Sequence, residues 1–364
     1  MYTSLVGCPL SDVDTPALVV DLDALDHNIA TMAADIAARG AQWRPHSKAN
    51  KTPAIVHKEI AAGAIGVTCA KVGEAEVMAA AGIRDILIAN QVVGHIKTRR
   101  LAWLAREADV IVAVDNPDNV LELDCAASHA GSKPRILIEV NTGMERCGAL
   151  PGEPAVELAK LVDSLPNLRF AGVMAWEGHS MGIKDPVARE AEIRRACGSL
   201  VDTANACRAA GLDVQIVSAG GTGTYLTSAG VEGITEVQAG GGIFGDSTYR
   251  DLGANVIPAL SIMAQVTSRP TPEKVMIDAG RKSIDPSARQ PTVEGFETAG
   301  DMSFSAEHGR FTLATPSESP RVGERVKLLS GYSDQMCHLH EHFIGVRKGV
   351  VAAVWPIQGR GRLQ

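Results

Sequence analysis

The six residues DILIAN (85–90) contain four consecutive apolar residues, and runs of the same kind recur along the first two thirds of the chain. Such runs lack the alternation of apolar and polar residues that a half-buried strand shows, which indicates strands buried on both faces. The stretches between them are longer, rich in alanine and spaced like helices, and several end at a glycine. The pattern predicts repeated strand–helix units with a parallel sheet.

Eight such runs precede residue 255. They are QWRPHS (42–47), IGVTCA (65–70), DILIAN (85–90), VIVAVD (110–115), RILIEVN (135–141), FAGVMAWEG (170–178), VQIVSAGG (214–221) and TEVQAGG (235–241). Eight parallel strands with crossover helices favour an α/β fold of the closed (β/α)8 TIM barrel type, and an open doubly wound sheet is the alternative. In a barrel the chemistry lies at the carboxyl ends of the strands, so the residues just after these runs are the site candidates.

The pattern changes after about residue 255, where helical spacing gives way to β-rich runs. These are ALSIMAQVTSR (259–269), KVMIDAG (274–280), RVKLLSG (325–331) and HFIGVRKGVVAAVWPI (342–357), the last with a predicted hairpin turn at residues 347–349. The early run PALVVDL (16–22) is also strand-like. We therefore expect a barrel over residues 23–255 and a second, mainly β domain made of residues 1–22 and 256–364.

Composition argues against several classes of function. The chain of 364 residues has a net charge of −7 and no basic run, which argues against nucleic acid or an anionic membrane as a partner. Seven cysteines, an odd number without a CxxC pair, indicate reduced thiols rather than a disulfide framework. The amino terminus lacks a signal-peptide pattern, and no apolar stretch is long enough to span a membrane. The sequence predicts a cytoplasmic protein that acts on a small molecule.

A lysine follows the first predicted barrel strand, in the segment RPHSKANK (44–51). A lysine at this end of a barrel, shielded from water, can become nucleophilic toward a carbonyl group and form a Schiff base. The alternative for Lys48 is an ordinary surface lysine whose stem packs on the protein and whose ammonium faces water. A decision between the two depends on what the neighbouring strands carry.

Two glycine-rich segments follow the seventh and eighth predicted strands, SAGGTGT (218–224) and AGGGIFGD (239–246). Glycine lets backbone N–H groups turn inward, and the hydroxyls of Thr222 and Thr224 add donors, which suits a phosphate group. Phosphate sites of TIM barrels are often built after strands seven and eight, although flexible turns are the alternative here. A Schiff-base lysine beside a phosphate site predicts pyridoxal 5′-phosphate (PLP) as cofactor. Arg146 supplies a permanent cation for the phenolic oxygen of that cofactor or for a substrate carboxylate.

Six motifs together resemble a known family. RPHSKANK, EVNTGMERCG, WEGHSM, VSAGGTGT, QAGGGIFGD and SAEHG are similar, in this order, to motifs of the fold-type III PLP enzymes, in the branch of D-threonine aldolase, 3-hydroxy-D-aspartate aldolase and D-serine dehydratase. The resemblance implies a barrel and β domain like those of alanine racemase. It also implies a homodimer in which the β domain of one chain closes the barrel mouth of the other. The predicted cofactor-binding residues are Lys48, Arg146, Gly221, Thr222, Gly240 and Gly241.

The same branch holds a divalent metal beside the cofactor, through a His-x-Asp or His-x-Cys pair of the β domain. The matching segment of this chain is SGYSDQMCHLHEH (330–342), in which Tyr332 replaces the histidine and Asp334 stands at the second position. A carboxylate is a good ligand for Mg²⁺, Mn²⁺ or Zn²⁺, whereas a neutral phenol is a poor one. We therefore expect a weakened divalent metal site at Asp334 and Tyr332.

The resemblance also bears on the reaction, since in that branch a carboxylate ligand goes with aldol cleavage and a thiolate ligand with dehydration. Asp334, with Ser333 rather than a cysteine beside it, favours a lyase that splits D-β-hydroxy amino acids into glycine and an aldehyde. The predicted catalytic residues are Lys48 and His179, since histidine is a common general base. A buried, hydrogen-bonded structural role is the alternative for His179. A D-serine or 3-hydroxyaspartate dehydratase, a non-catalytic PLP carrier and a metal hydrolase that uses histidine ligands are the alternatives.

Overall fold

A computed structural model describes residues 5–364, which form two compact units. The barrel unit comprises Ala33–Lys48, Pro53–Gly240 and Gly361–Gln364, and the β unit comprises the described residues up to Met32 together with Ala49–Thr52 and Gly241–Arg360. Residues 1–4, which the sequence assigns to the β domain, lie outside the described residues. The domain limits expected from the sequence stay predictions.

Strands alternate with helices through the first two thirds of the chain. The strands of residues 5–364 are β1 Ala17–Asp21, β2 Gln42–Trp43, β3 Val67–Cys69, β4 Asp85–Gln91, β5 Asp109–Val114, β6 Arg135–Glu139, β7 Arg169–Met174, β8 Ile216–Ala219, β9 Glu236–Val237, β10 Leu260–Ser268, β11 Lys274–Ile277, β12 Thr292–Val293, β13 Gly300–Phe304, β14 Gly309–Thr312, β15 Arg325–Leu329, β16 His342–Arg347 and β17 Val350–Pro356.

The α-helices of the same residues are α1 Leu22–Ala37, α2 Pro53–Ala61, α3 Val72–Ala80, α4 His95–Leu104, α5 Pro117–Ala130, α6 Glu153–Ser164, α7 Pro186–Ala209, α8 Tyr225–Ser228, α9 Ser247–Asp251 and α10 Met336–Leu339. Capping residues set the limits of α5. The Asn116 side chain accepts from the Asp118 N–H at 2.8 Å where α5 begins, and Gly131, with φ 64°, ends that helix. Every helix within residues 5–364 is too short or too polar to cross a membrane.

Strands β2 to β9 form one parallel sheet in the barrel unit, in the order β2-β9-β8-β7-β6-β5-β4-β3. The two ends of this order meet, because His46 forms a parallel bridge with Thr68 and the Thr68 N–H donates to the Pro45 carbonyl at 2.8 Å. A further hydrogen bond of 2.9 Å joins the Ile65 N–H to the Trp43 carbonyl. All eight predicted strands are present, and they close into the predicted (β/α)8 barrel.

The barrel strands are buried as their apolar runs predict. All five residues of β6 are buried, and so are all but the first residue of β5 and of β7. Apolar side chains from five neighbouring strands form one cluster, made of Leu87, Ile111, Ala113, Leu137, Ala171, Met174 and Ile216. Burial of this kind stabilises the fold by roughly 25 cal/mol for each Å² of apolar surface removed from water. The polar residues lie at the ends of the strands.

The β unit contains a nine-stranded sheet, as the change of pattern after residue 255 predicts. Its central strand order is β13-β14-β11-β10-β1-β16-β17, and β15 pairs with both β10 and β12. The predicted hairpin is confirmed, since β16 and β17 pair antiparallel across a two-residue turn. Both turn residues have positive φ, 49° at Lys348 and 76° at Gly349, which is the backbone of the tight turns that suit twisted strands.

Charged side chains occupy the amino-terminal end of the barrel. Arg44, only 2% exposed, binds both carboxylate oxygens of Glu236 through Nε at 3.1 Å and Asp85 Oδ1 through Nη1 at 2.7 Å. Arg135 binds Asp85 Oδ1 and Asp109 Oδ1, each at 2.8 Å. These acidic residues begin β9, β4 and β5, and Arg135 begins β6. The network therefore joins the first strand to four others at the end opposite the predicted site.

Removing Arg44 is expected to destabilise the protein strongly. In Arg44→Met the Glu236 carboxylate, 2% exposed, loses its buried partner, and such a loss costs about 3–5 kcal/mol of unfolding free energy. The double variant Arg44→Met/Glu236→Gln removes both charges and should recover more than half of that loss. Equilibrium urea unfolding of both variants and of the parent measures these differences.

Arg169→Met is the matched control, because Arg169 reaches Asp109 only at 3.8 Å and its side chain is 55% exposed. An exposed pair of this kind contributes about 1 kcal/mol or less. If Arg44→Met lowers the free energy of unfolding no more than Arg169→Met does, the buried network does not hold the first strand.

Candidate active site

The predicted catalytic lysine lies at the carboxyl end of the first barrel strand. It stands in a short 3-10 turn, Ser47–Ala49, and its side chain is exposed. The turn is anchored by the Ser47 hydroxyl, which donates to Glu74 Oε1 at 2.6 Å. The backbone N–H of Lys48 donates to His46 Nδ1 at 3.3 Å. The backbone of the lysine is thus held in place.

Gly240, just after β9, allows a close approach to this first strand. A Cβ atom at Gly240 would lie 2.2 Å from the His46 carbonyl oxygen and 2.5 Å from the His46 nitrogen. Only glycine therefore fits at this position beside the segment that carries Lys48. Gly241 lies in the β unit, where a Cβ atom would meet the Tyr249 ring at 2.7 Å and Asp334 Oδ1 at 3.0 Å. The cofactor contacts predicted for both glycines stay predictions.

The glycine loop, residues 220–224, follows β8 and is held by the end of β7. Gly220 has φ 75°, and its N–H donates to Glu177 Oε2 at 3.3 Å. The Gly221 N–H donates to Thr224 Oγ1 at 3.0 Å. A Cβ atom at Gly221 would lie 2.3 Å from the Trp176 ring, so the indole lies directly against the loop backbone. Gly221 is therefore needed for its lack of a side chain, and its own N–H is already used within the loop.

Glu177 is a residue to which the sequence analysis gave no role. It is 1% exposed, and its Oε1 accepts hydrogen bonds of 2.6 Å from both the Thr224 and the Ser228 hydroxyl. The motif WEGHSM placed Glu177 after a strand, which is a signal for a site residue. Its partners lie 47 and 51 residues further along the chain, so only the fold reveals them.

Arg146, in the loop after β6, is half-exposed and lies near a second buried carboxylate. Its Nη2 is 3.6 Å from Glu139 Oε1, and Glu139 is 3% exposed. Glu139 Oε2 also accepts from Gln91 Nε2 at 2.6 Å, while the Cys147 thiol donates to Oε1 at 3.1 Å. Burial and Glu139 raise the pKa of Cys147, so the thiol stays a neutral donor. Glu139 therefore anchors the loop that carries Arg146, a role that the sequence did not indicate.

His179 lies in a 3-10 segment after β7 and is tied to helix α7. Its Nε2 is 2.6 Å from Glu192 Oε1, and the same oxygen accepts from Arg195 Nη2 at 2.6 Å. Hydrogen bonds from Arg195 and His179 lower the pKa of Glu192 to about 2, so the carboxylate is ionised. His179 Nδ1 is buried without a hydrogen-bond partner among residues 5–364. A base role for His179 therefore uses Nδ1 or requires Nε2 to leave Glu192, and it stays a prediction.

The residues predicted to hold a metal lie in a polar cluster of the β unit. The Tyr332 hydroxyl donates to Asp334 Oδ2 at 2.9 Å. Between them in sequence, Ser333 donates to Asp246 Oδ2 from its backbone N–H at 2.9 Å and from its hydroxyl at 2.7 Å. Asp246 also caps helix α9 through the Tyr249 N–H, and burial raises the pKa of Asp246 to about 6. The cluster is held together by hydrogen bonds within the protein.

These donors fit a divalent metal poorly. Burial and the neighbouring Asp334 raise the pKa of Tyr332, which therefore remains a neutral phenol rather than an anionic ligand. Its hydroxyl also occupies one oxygen of Asp334. Within residues 5–364, no group of three or more His, Cys, Asp or Glu side chains is placed to hold a metal ion. No catalytic step is assigned to a metal.

The barrel mouth, in contrast, suits a phosphorylated carbonyl cofactor. Lys48 and the two glycine segments belong to the ends of β2, β8 and β9, which are neighbours in the sheet order. Side chains are excluded at Gly221 and Gly240, where a Cβ atom would meet the Trp176 ring or the His46 backbone. Phosphate groups often bind after the seventh and eighth strands of such a barrel, which are β8 and β9 here.

Comparison with known proteins identifies relatives for both units. Residues 20–248 match the family model of the alanine racemase N-terminal domain, and residues 259–346 match that of a serine dehydratase domain. D-threonine aldolase of Arthrobacter sp. is 35% identical over 98% of this chain and 95% of its own length. For 3-hydroxy-D-aspartate aldolase of Paracoccus denitrificans (strain Pd 1222), the identity is 34% over 99% of this chain and 95% of that protein.

A solved structure agrees with these matches. The crystal structure of D-threonine aldolase from Filomicrobium marinum superposes with a TM-score of 0.96 at 37% identity, and it covers 99% of this chain and 98% of that one. Fold and sequence thus point to one group of enzymes along nearly the whole chain. The chain belongs to the alanine racemase-like family of PLP-dependent enzymes, in the branch of the D-threonine and 3-hydroxy-D-aspartate aldolases.

Proposed function

We propose that this protein is a PLP-dependent carbon–carbon lyase that cleaves D-β-hydroxy amino acids into glycine and an aldehyde. The observation that carries the proposal is the position of Lys48, at the carboxyl end of β2 in a closed barrel and next in sheet order to the glycine-rich ends of β9 and β8. Two relatives that match along nearly the whole chain are aldolases named for D-configured β-hydroxy amino acids.

The residues of the barrel mouth have distinct roles in this proposal. Bound PLP supplies an electron sink that weakens the bonds to Cα of an attached amino acid. Lys48 holds the cofactor, and the glycine loop with Thr222 and the glycines after β9 binds its phosphate. Arg146, whose side chain is 53% exposed, binds the phenolic oxygen or the substrate carboxylate. During cleavage the β-hydroxyl loses its proton to a base such as His179, the Cα–Cβ bond breaks with its electron pair left on Cα, and the aldehyde leaves. A proton taken up at Cα then completes glycine.

A dehydratase acting on the same class of substrate is the second candidate. The match of residues 259–346 to a serine dehydratase domain favours it. In that reaction the Cα–H and Cβ–O bonds break, and the products are ammonia and a 2-oxo acid. Cleavage is preferred because the segment that resembles the metal-binding pair offers Asp334 and a serine, Ser333, rather than a cysteine thiolate.

The two reactions are separated by their products. The purified protein, loaded with PLP, should convert D-threonine, D-phenylserine or D-3-hydroxyaspartate into glycine and the matching aldehyde, measured by chromatography. The L-enantiomers are the matched controls and should give no product. Ammonia and a 2-oxo acid in place of glycine would assign the protein to the dehydratases, and no product from any substrate would refute both reactions.

Lys48 should be the lysine that binds the cofactor covalently. Borohydride reduction of the loaded protein, followed by peptide mass spectrometry, should mark Lys48. Lys48→Arg should lose the mark and lower the cleavage rate at least about 100-fold, because the guanidinium forms no Schiff base. Lys160→Arg is the control and should keep both, since the Lys160 side chain is 46% exposed on helix α6. A mark on Lys51 or Lys71 in the parent protein would contradict the assignment.

A divalent metal at Asp334 and Tyr332 stays a prediction, and the cluster of the β unit shows how to test it. Tyr332→His supplies an imidazole and releases Asp334 Oδ2 from its hydrogen bond of 2.9 Å, so Mn²⁺ should bind at least about tenfold more tightly than to the parent. Tyr332→Phe, the control, releases the same oxygen without adding a ligand. Calorimetric titration measures the affinities. Tight binding by the parent that survives Asp334→Asn would place the metal elsewhere.

The assembly and the location of the protein are also proposed. The family resemblance supports a homodimer, which light scattering on the purified chain measures, and a fully active monomer would refute it. Within residues 5–364 no cysteine forms a disulfide, which supports a reducing compartment such as the cytoplasm. Oxidant-resistant activity of a secreted form of the protein would argue against that location.

A further inference from the structure

We propose that Glu177 is a positioning residue that, together with Trp176, sets the glycine loop in the conformation that binds the cofactor phosphate. The inference rests on the proposed function, because it concerns how the chain prepares itself for PLP. Neither residue needs to touch the cofactor. Both follow β7 directly, on the strand that neighbours β8.

The Glu177 carboxylate is satisfied by neutral donors alone. It is 1% exposed, and the groups that hydrogen-bond to it are one backbone N–H and two hydroxyls. Its hydrogen bonds come from the Gly220 N–H at 3.3 Å and from the Thr224 and Ser228 hydroxyls at 2.6 Å each. Burying a carboxylate without such donors costs several kcal/mol, so the three groups are strongly drawn to it. All three belong to the glycine loop or to helix α8, which follows it.

The hydrogen bonds of Glu177 fix the first half of the loop. Gly220 adopts φ 75°, a conformation that leaves its N–H directed at Glu177 Oε2. Thr224 Oγ1 accepts from the Gly221 N–H at 3.0 Å while donating to Glu177 Oε1 at 2.6 Å. One carboxylate thus holds two successive amides of the loop, one directly and one through a hydroxyl.

Trp176 supports the loop from the other side. Its indole lies between two glycines, since a Cβ atom at Gly178 would be 2.2 Å from Nε1 and a Cβ atom at Gly221 would be 2.3 Å from the ring. The ring leaves no space for the loop to move toward β7. Trp176 therefore holds the loop by ring contact, and Glu177 holds it by hydrogen bonds. A loop ordered before binding loses less entropy when the phosphate arrives.

The test compares two ligands that differ only in the phosphate. After removal of bound cofactor, the affinities of the protein for PLP and for pyridoxal are measured by absorbance titration. Glu177→Gln keeps the shape of the side chain, but its amide NH2 group would face one of the donors that now bind Glu177. The PLP affinity should therefore fall at least about tenfold. Pyridoxal affinity should change less than about twofold, because pyridoxal carries no phosphate.

Matched variants control for general damage. Ser180→Ala removes a hydroxyl that donates at 2.7 Å to the backbone carbonyl of Glu177, so it perturbs the same turn without touching the carboxylate, and it should leave both affinities unchanged. Thr224→Val should reproduce the selective loss of PLP affinity. Thr224→Ser should restore it, since serine keeps the hydroxyl. The threonine pair gives an answer even where Glu177→Gln fails to fold.

Each outcome has a distinct meaning. Equal losses for PLP and pyridoxal would show a general structural role, and no loss for either would show that the loop orders itself, so both results overturn the inference. A parent protein that binds neither ligand would instead refute the proposed function. A loss confined to PLP in Glu177→Gln or Thr224→Val, with Ser180→Ala unchanged, establishes the positioning role.

Discussion

The first barrel strand is short, and the candidate site depends on how that strand is held. Only Gln42–Trp43 pairs regularly, with β9, yet the segment that continues from it carries the lysine. Trp43 Nε1 donates to the Ala239 carbonyl at 2.7 Å, and Arg44 binds charges on two other strands. The close approach of the Gly240 backbone to His46 then fixes the end of the segment nearer Lys48. Because Lys48 follows directly, its position is a consequence of these contacts.

Buried carboxylates repeat this logic around the barrel mouth. Glu74 binds the turn that carries Lys48, Glu139 lies beside Arg146, and Glu177 binds the glycine loop. All three are at most 3% exposed. Each holds a segment to which the sequence assigned a cofactor contact, without being a predicted contact itself. These buried carboxyl side chains therefore order the backbone of the barrel mouth. The groups proposed to contact the cofactor are Lys48, Arg146 and the backbone of the glycine-rich segments.

The sequence predicted those features that local pattern controls. Apolar runs marked all eight barrel strands, and the glycine segments fell on β9 and β8, the two strands that come after β2 in the sheet order. Strand β13 was missed because four of its five residues are at least partly exposed, which leaves no apolar run to detect. The partners of Glu177 were missed for a different reason. Contacts across 47 and 51 residues depend on the closed barrel, and nothing in the local pattern encodes them.

The β unit shows where this chain departs from the family pattern that its sequence resembles. The resemblance predicts a carboxylate ligand at Asp334 and an imidazole where Tyr332 stands, and the Tyr332 hydroxyl donates to that same carboxylate. Turning this phenol into an anionic ligand costs about 1.4 kcal/mol for every unit by which its pKa exceeds the pH, and burial with Asp334 nearby raises that pKa. An imidazole carries no such cost at neutral pH. Tyr332 and Asp334 thus form a hydrogen-bonded donor and acceptor rather than a pair of metal ligands. We therefore expect metal dependence to be the property in which this protein differs most from relatives that have histidine at this position.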